Sequence, residues 1–246
     1  MYYFIYDAVA QSAEHSKEFA RIENRLLDFG IKDKVVKISP LKSVRDAVAE
    51  AYKNKFNTII TIGGDELFLN TLSFVIGYQI AVGMIPLGKH TTIATMLNIP
   101  SGSEACETLS ARRVREITLG KIDNRFFLSS CKLSGVESMT VDSSYTINVP
   151  PRSEIEIINQ RRPIDQYQRI PQRKGMLTVV IKTKENGSLF QNKQTESYCI
   201  GKIISVKLGK TFTVTIDSFS SSDSCSLIST IPNAVKCIVG KHSLLW

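Results

Sequence analysis

The sequence predicts two domains: an α/β domain with a Rossmann-like parallel sheet over residues 1–117, then an antiparallel β-sandwich over residues 118–246. Three observations predict this plan. The first 118 residues alternate short apolar runs with stretches of helical periodicity. The apolar runs are nearly continuous, as burial on both faces of a parallel sheet requires. After Leu119 the helical periodicity stops and strand and turn signals take over, which sets the boundary near residues 114–120.

Taken in order, Tyr2–Tyr6 reads as a strand. Phe19, Ile22, Leu26 and Phe29 recur at helical spacing and Gly30 ends that helix. Val35–Ile38 is the next strand. Ser43 with Asp46 three residues on opens a helix whose buried face is Val44, Ala47, Val48 and Ala51. Thr58–Ile62 is a β-branched run broken by Gly63-Gly64-Asp65, and an apolar helix follows to about Val75. Ala81–Ile85 is a fourth strand, and Ser101 with Glu104 has the capping-box pattern that opens another helix. In the second half, Phe126-Phe127-Leu128 follows the turn Asp123-Asn124, and Tyr145–Val149 and Glu154–Ile158 flank Pro150-Pro151. Met176–Lys182 leads into the hairpin signal Asn186-Gly187. Ile203–Leu208 and Thr211–Ile216 read as two strands about a tight turn at Gly209-Lys210, and Ala234–Val239 as a last strand. Arg161 to Lys174 reads as a basic exposed loop and Asp217 to Ser226 as a serine-rich turn.

Composition narrows the function. The formal net charge is +8, and residues 151–246 hold 14 Lys and Arg against 7 Asp and Glu. A basic second half favours anionic partners. It offers no basic helix or aromatic stacking pattern, so nucleic acid is not expected among them. No apolar run reaches the length of a membrane span. The apolar start is too short for a secretory signal, and the expected location is cytoplasmic. Five widely spaced cysteines without a C-x-x-C pair argue against a zinc site or a disulfide framework, and no metal-ligating residues are assigned.

The chemistry points to two turns. A buried strand ending in Gly63-Gly64 and running into a helix lets backbone N–H groups approach phosphate oxygens, and the helix N-terminus adds partial positive charge. About twenty residues on, Ala81–Ile85 runs into Pro86-Leu87-Gly88-Lys89-His90-Thr91-Thr92-Ile93-Ala94, then Leu97-Asn98-Ile99-Pro100. Two such turns after neighbouring parallel strands lie together at the carboxyl edge of the sheet, where open α/β folds hold ligands.

At these residues the chain resembles the catalytic domain of diacylglycerol kinases and bacterial lipid kinases, within the wider group that includes NAD kinases. The family's G-G-D-G-T-x-x-E stands here as Gly63-Gly64-Asp65-Glu66-Leu67-Phe68-Leu69-Asn70, and its I-P-x-G-T-x-N-D-x-A as Ile85 to Ala94. Phe126-Phe127 matches the usual entry to the second domain. The resemblance implies an ATP-dependent lipid kinase, with Mg2+ at the phosphates and a diacylglycerol-like lipid hydroxyl accepting phosphate in the cleft between the domains. On this reading Gly63, Gly64, Asp65, Gly88, Lys89, His90 and Thr91 hold the nucleotide. Asp65, Asp217 and Glu137 are the candidate catalytic carboxylates. Partners are a nucleotide and a lipid, with peripheral contact to anionic membrane through Arg161, Arg162, Arg169, Arg173 and Lys174; a homodimer is left open.

The motifs also depart from the family. Glu66 replaces a Gly, Leu67 a Thr and Asn70 a Glu. Lys89, His90, Thr91 and Thr92 replace Thr, Gly, Asn and Asp, and Tyr6-Asp7-Ala8-Val9-Ala10 stands where the family has N-P-x-S-G. A carboxylate about 5 Å from a phosphate charge at an effective dielectric near 20 costs about 3 kcal/mol. Lys89 could offset Glu66, a magnesium ion could, or Glu66 could face solvent. The alternative function is therefore a catalytically inactive kinase-like module that binds a nucleotide, another anionic ligand or a protein.

Overall fold

The first four apolar runs form one parallel sheet. In a computed structural model they are β1 (Tyr2–Tyr6), β2 (Lys34–Lys37), β3 (Thr58–Gly63) and β4 (Ala81–Pro86), in the order β2-β1-β3-β4. The structure describes all residues except 8, 9, 11, 32, 33, 89, 90, 162–169, 186–192, 218, 222–224, 244 and 246. The chain divides into two units: Met1–Ile117 with Asn233–Trp246, and Thr118–Pro232.

In the first unit every residue of β3 and β4 is buried, which fits their uncharged, largely apolar sequences. Five helices accompany the sheet: α1 (Ser16–Asp28), α2 (Val44–Lys53), α3 (Asp65–Val75), α4 (Thr92–Leu97) and α5 (Ala105–Ala111). α1 buries Phe19, Ile22 and Leu26, and beyond its end the Ile31 N–H returns to the Leu26 carbonyl at 2.8 Å. α2 opens at the expected helix start, on a capping box in which the Asp46 N–H donates to Ser43 Oγ and the Ser43 N–H to Asp46 Oδ2. Glu50 on α2 takes hydrogen bonds from Lys34 and Lys42, which hold its carboxyl down to about 2.

The capping box expected at Ser101 and Glu104 does not form. Ser101 precedes a 3-10 turn, Gly102–Glu104, and makes no side-chain cap. The Ser103 N–H donates instead to Glu18 Oε1 of α1 at 2.8 Å, so a distant carboxylate does the work assigned to Ser101 and Glu104. That bond lowers the Glu18 pKa. A depressed carboxylate stabilises the fold above its unfolded pKa, and the contribution is lost as pH falls through the folded value. Glu18→Ala is expected to cost about 1 kcal/mol at neutral pH. Urea melts of both proteins should converge as the pH is lowered below about 4; a constant difference down to that pH would refute the assignment.

A second departure concerns the end of the chain. The sequence predicts a β domain that runs through residue 246, but the segment Asn233–Trp246 belongs to the first unit. β14 (Leu227–Ile238) ends by pairing in parallel with β4, Lys236 beside Ala81 and Cys237 beside Val82. Beyond it the Gly240 N–H donates to the Leu97 carbonyl at 2.8 Å, and the Arg115 guanidinium to the Ser243 and Leu245 carbonyls at 3.2 Å each. Parallel pairing leaves no local turn signal, so nothing in the sequence of this strand announces its neighbour.

The second unit is largely antiparallel β. β7 (Ser130–Val141), β9 (Ser153–Ile158), β10 (Leu177–Glu185), β11 (Lys193–Gly201) and β12 (Ile203–Ile216) run in the order β11-β10-β9-β7-β12. β5 (Val114–Ile122) pairs with β6 (Arg125–Phe127), β8 (Tyr145–Asn148) with β7, and β13 (Phe219–Ser221) with β12. Ile155, Ile157, Leu177, Val179, Met139 and Phe127 build its core. Asn186-Gly187 lies outside the described residues; β10 and β11 pair antiparallel on either side of it. Gly209-Lys210 is not a turn. β12 runs through it, and the pairing with β7 shifts register between Leu208 and Thr213. The opposing Gly135 comes so close that a Cβ there would lie 1.9 Å from the Thr211 carbonyl oxygen, so the glycines serve a bulge rather than a hairpin.

All five cysteines are free thiols, and burial pushes Cys106 and Cys225 up to about 11. Among the described residues no helix is long and apolar enough to cross a membrane.

Candidate functional site

The two glycine turns lie side by side in the first unit. β3 and β4 are in register through Gly63 and Pro86, and the Leu87 N–H donates to the Gly63 carbonyl at 3.0 Å. A side chain on Gly63 would meet Asp7 Oδ2 at 3.1 Å and Leu67 Cδ2 at 3.2 Å. Gly64 is the N-cap of α3 and gives it no side-chain cap. Gly88 has φ +99°, which L side chains rarely adopt. The expected residues Gly63, Gly64, Asp65, Gly88 and Thr91 thus share the carboxyl edge of the sheet; Lys89 and His90 lie outside the described residues.

Asp65 is 5% exposed. It stands at the first position of α3, yet it caps a different helix: both carboxylate oxygens accept the Ile93 N–H in the first turn of α4, at 3.1 and 3.2 Å. Thr91, the N-cap of α4, makes no side-chain cap of its own. Asp65 therefore clasps the second turn to the first. Leu67, where the family has Thr, is buried and packs under Gly63. Glu66 is exposed on the first turn of α3.

Asp7 is the residue that motif reading passed over. It directly follows β1, its Oδ1 accepts the Ala10 N–H at 3.2 Å, and its Oδ2 faces Gly63. The available signal was positional: it is the first polar residue after a buried strand, at the ligand edge of a parallel sheet. With Asp7 and Glu66 present, the turn carries more negative charge than glycine and helix terminus alone would give it.

The second-unit candidates have other attachments. Asp217, 6% exposed, accepts the N–H groups of Leu128, Ser129 and Ser130 at 2.6, 2.8 and 3.0 Å, and so staples the β6–β7 connection. Glu137 is exposed on β7 and pairs with Lys207 at 2.8 Å, holding that ammonium above the usual lysine range. Of the basic loop, residues 162–169 lie outside the described residues.

Gly63, Gly64 and Gly88 place no side chain at this edge. For magnesium the protein offers less: among the described residues no three His, Cys, Asp or Glu side chains form a metal-binding group. Such an ion would have to be carried chiefly by phosphate oxygens and water.

The diacylglycerol kinase catalytic domain model matches residues 1–122. The chain belongs to the diacylglycerol kinase catalytic domain family. Three solved structures of diacylglycerol kinase-type proteins from Bacillus anthracis str. Sterne share its fold at 16% sequence identity. A diacylglycerol kinase of that strain aligns with TM-score 0.74 over 98% of this chain and 97% of its own; the other two give 0.76 and 0.75. No curated protein matches the chain in sequence. The kinase family's N-terminal parallel β/α region followed by a largely antiparallel β region is thus the architecture of this chain.

Proposed function

We propose that the chain is an ATP-dependent lipid kinase of the diacylglycerol kinase type. The observation that carries this reading is the clasp between the turns: Leu87 N–H to Gly63, and Asp65 to Ile93. It holds two glycine-bearing loops at one sheet edge before any ligand arrives, and pre-organisation of this kind favours a bound triphosphate. Gly63, Gly64 and Gly88 would admit the phosphates, Thr91 and the first turn of α4 would add donors, and Asp65 would position both loops. Magnesium would neutralise phosphate charge, which matters more here because Asp7 and Glu66 add negative charge. A lipid hydroxyl is the acceptor the family implies.

One observation favours the inactive module as a second reading. The carboxylates of Asp65 and Asp217 are engaged by backbone N–H groups, and Glu137 is paired with Lys207. None stands ready to take a proton from an acceptor.

Thermal unfolding with ATP and excess magnesium, alongside phosphate transfer to diacylglycerol in mixed micelles, tests both. At ten times the dissociation constant, ATP is expected to raise Tm by roughly 3–5 °C. In Asp65→Ala that shift should disappear, and kcat/KM should fall at least about tenfold through KM. No shift at millimolar ATP would sink the nucleotide site. A shift without transfer to any lipid would select the inactive module.

A further inference from the structure

Asp7 is placed differently from the candidate catalytic carboxylates. Asp65 accepts the Ile93 N–H with both oxygens, Asp217 accepts three N–H groups, and Glu137 is paired with Lys207. Asp7 spends only one oxygen. Its Oδ1 accepts the Ala10 N–H at 3.2 Å, and among the described residues Oδ2 takes no hydrogen bond and the carboxylate makes no ion pair. The side chain is half-buried, and Oδ2 keeps access to solvent.

Strand register sets where that oxygen stands. Tyr6 is in register with Ile62, and Gly63 with Pro86, all in parallel strands. Asp7 therefore follows β1 level with Gly63, at the carboxyl edge of the sheet. A Cβ on Gly63 would lie 3.1 Å from Asp7 Oδ2 and 3.4 Å from its Cγ, so the carboxylate rests against the first glycine of the turn. The next N–H group, that of Gly64, is a donor this turn offers to a phosphate. A phosphate oxygen bonded there comes within about 6 Å of Oδ2, one N–H···O distance further on. At that separation and an effective dielectric near 20, one pair of like unit charges weakens binding about a hundredfold. A phosphate at this turn therefore needs a cation between itself and Asp7.

We infer that Asp7 is the protein ligand of the nucleotide's magnesium: Oδ2, directly or through one water, meets an ion carried on the phosphates, and the site takes ATP as the magnesium complex while rejecting the free nucleotide. The inference rests on the ATP-binding reading of the two turns and adds to it the form in which ATP is recognised. Magnesium is typically bound by one or two carboxylates together with substrate phosphates and water. One available carboxylate oxygen beside a glycine turn is the protein's half of that arrangement. It also agrees with the lack of any group of three metal-binding side chains among the described residues. A sugar hydroxyl of the nucleotide would satisfy Oδ2 as well, but that contact would be indifferent to the metal.

Calorimetric titration of the full chain with ATP, in excess magnesium and in EDTA, compares wild type with Asp7→Asn. Asparagine keeps the oxygen that accepts the Ala10 N–H and removes the charge, so Tm without ligand should stay within about 2 °C of wild type. Wild type is expected to prefer the magnesium complex. In Asp7→Asn the complex should bind about tenfold more weakly and free ATP about tenfold more tightly, so the preference falls about a hundredfold. Glu66→Gln removes an equal charge from an exposed position and should change the preference less than about threefold. Equal changes in the two variants would overturn ligation by Asp7 in favour of a diffuse field. An unchanged preference in Asp7→Asn overturns the inference and leaves the nucleotide site standing, and equal weakening of both ATP forms does the same in favour of the sugar contact. Wild-type binding that ignores magnesium also overturns it, and makes Lys89 the charge that offsets Asp7. No binding of either form at millimolar ATP, by wild type or Asp7→Asn, removes the nucleotide reading and the inference together.

Discussion

Asp217→Ala is expected to destabilise the second unit by about 4 kcal/mol, because three buried N–H groups lose their acceptor at a cost of about 1–3 kcal/mol each, partly recovered by water. Leu128, Ser129 and Ser130 donate to this one carboxylate in sequence, and they form the link from β6 into β7. β7 pairs with β9, β8 and β12, so loosening its first residues reaches most of the unit. The melting temperature should fall by roughly 10 °C. Asp217→Asn keeps one acceptor oxygen but sets an NH2 against the donors, and should cost about half as much. Circular dichroism melts check this. A general base free of structural duty would show the opposite pattern, with unchanged melting and lost phosphate transfer, so a Tm within about 2 °C of wild type in Asp217→Ala would restore the catalytic assignment.

Gly240→Ala should be the most damaging single methyl group in the first unit. A Cβ at this position would lie 1.8 Å from the Asn98 carbonyl oxygen, a backbone atom that cannot swing aside. Relief requires moving either the tail, held by Val239 N–H to Arg113 and Gly240 N–H to Leu97, or the C-terminal end of α4. Asn98 ends α4 in the left-handed conformation at φ +55°, with the Ile99 N–H bonded to Ala94 at 2.8 Å, so the helix end is itself constrained. The expected cost is about 3 kcal/mol or more. α4 also carries Ile93, the partner of Asp65, and a displaced α4 should loosen the second glycine turn. ATP stabilisation should weaken together with Tm. Hydrogen exchange at Ile93 and Leu97 is the direct readout, and protection equal to wild type at both would show that the tail does not brace the helix.

Gly63-Gly64-Asp65 joins β3 to α3 as the sequence predicts, and Gly88 follows the neighbouring strand β4. Side-chain purpose was harder. The family resemblance makes Asp65 a candidate catalytic carboxylate, but not the tie it forms to α4 across a separation of 28 residues. Glu18 reaches Ser103 across 85. Contacts of that range leave no mark in local periodicity, because the pairing depends on where two elements dock rather than on either element's pattern. Leu67 reads as a damaged motif position in one dimension; in three it is a packed residue beneath Gly63. Gly209-Lys210 has the composition of a hairpin turn, and only the approach of Gly135 to Thr211 shows that it belongs to a bulge.

The sequence by itself determined the element types, the parallel sheet of the first half and the antiparallel character of the second, and the two glycine turns at one edge of that parallel sheet. Those properties follow from burial period, glycine placement and strand direction, all of which are written along the chain. The tertiary structure alone decided that the last fourteen residues, Asn233–Trp246, return to the first unit. It also decided that Asp65 and Asp217 are held by backbone donors, and that Asp7 stands beside Gly63. The physical reason is common to all of them. A buried carboxylate or a strand end is satisfied by whichever backbone group folding brings within about 3 Å, and that group is chosen by packing between elements far apart in sequence.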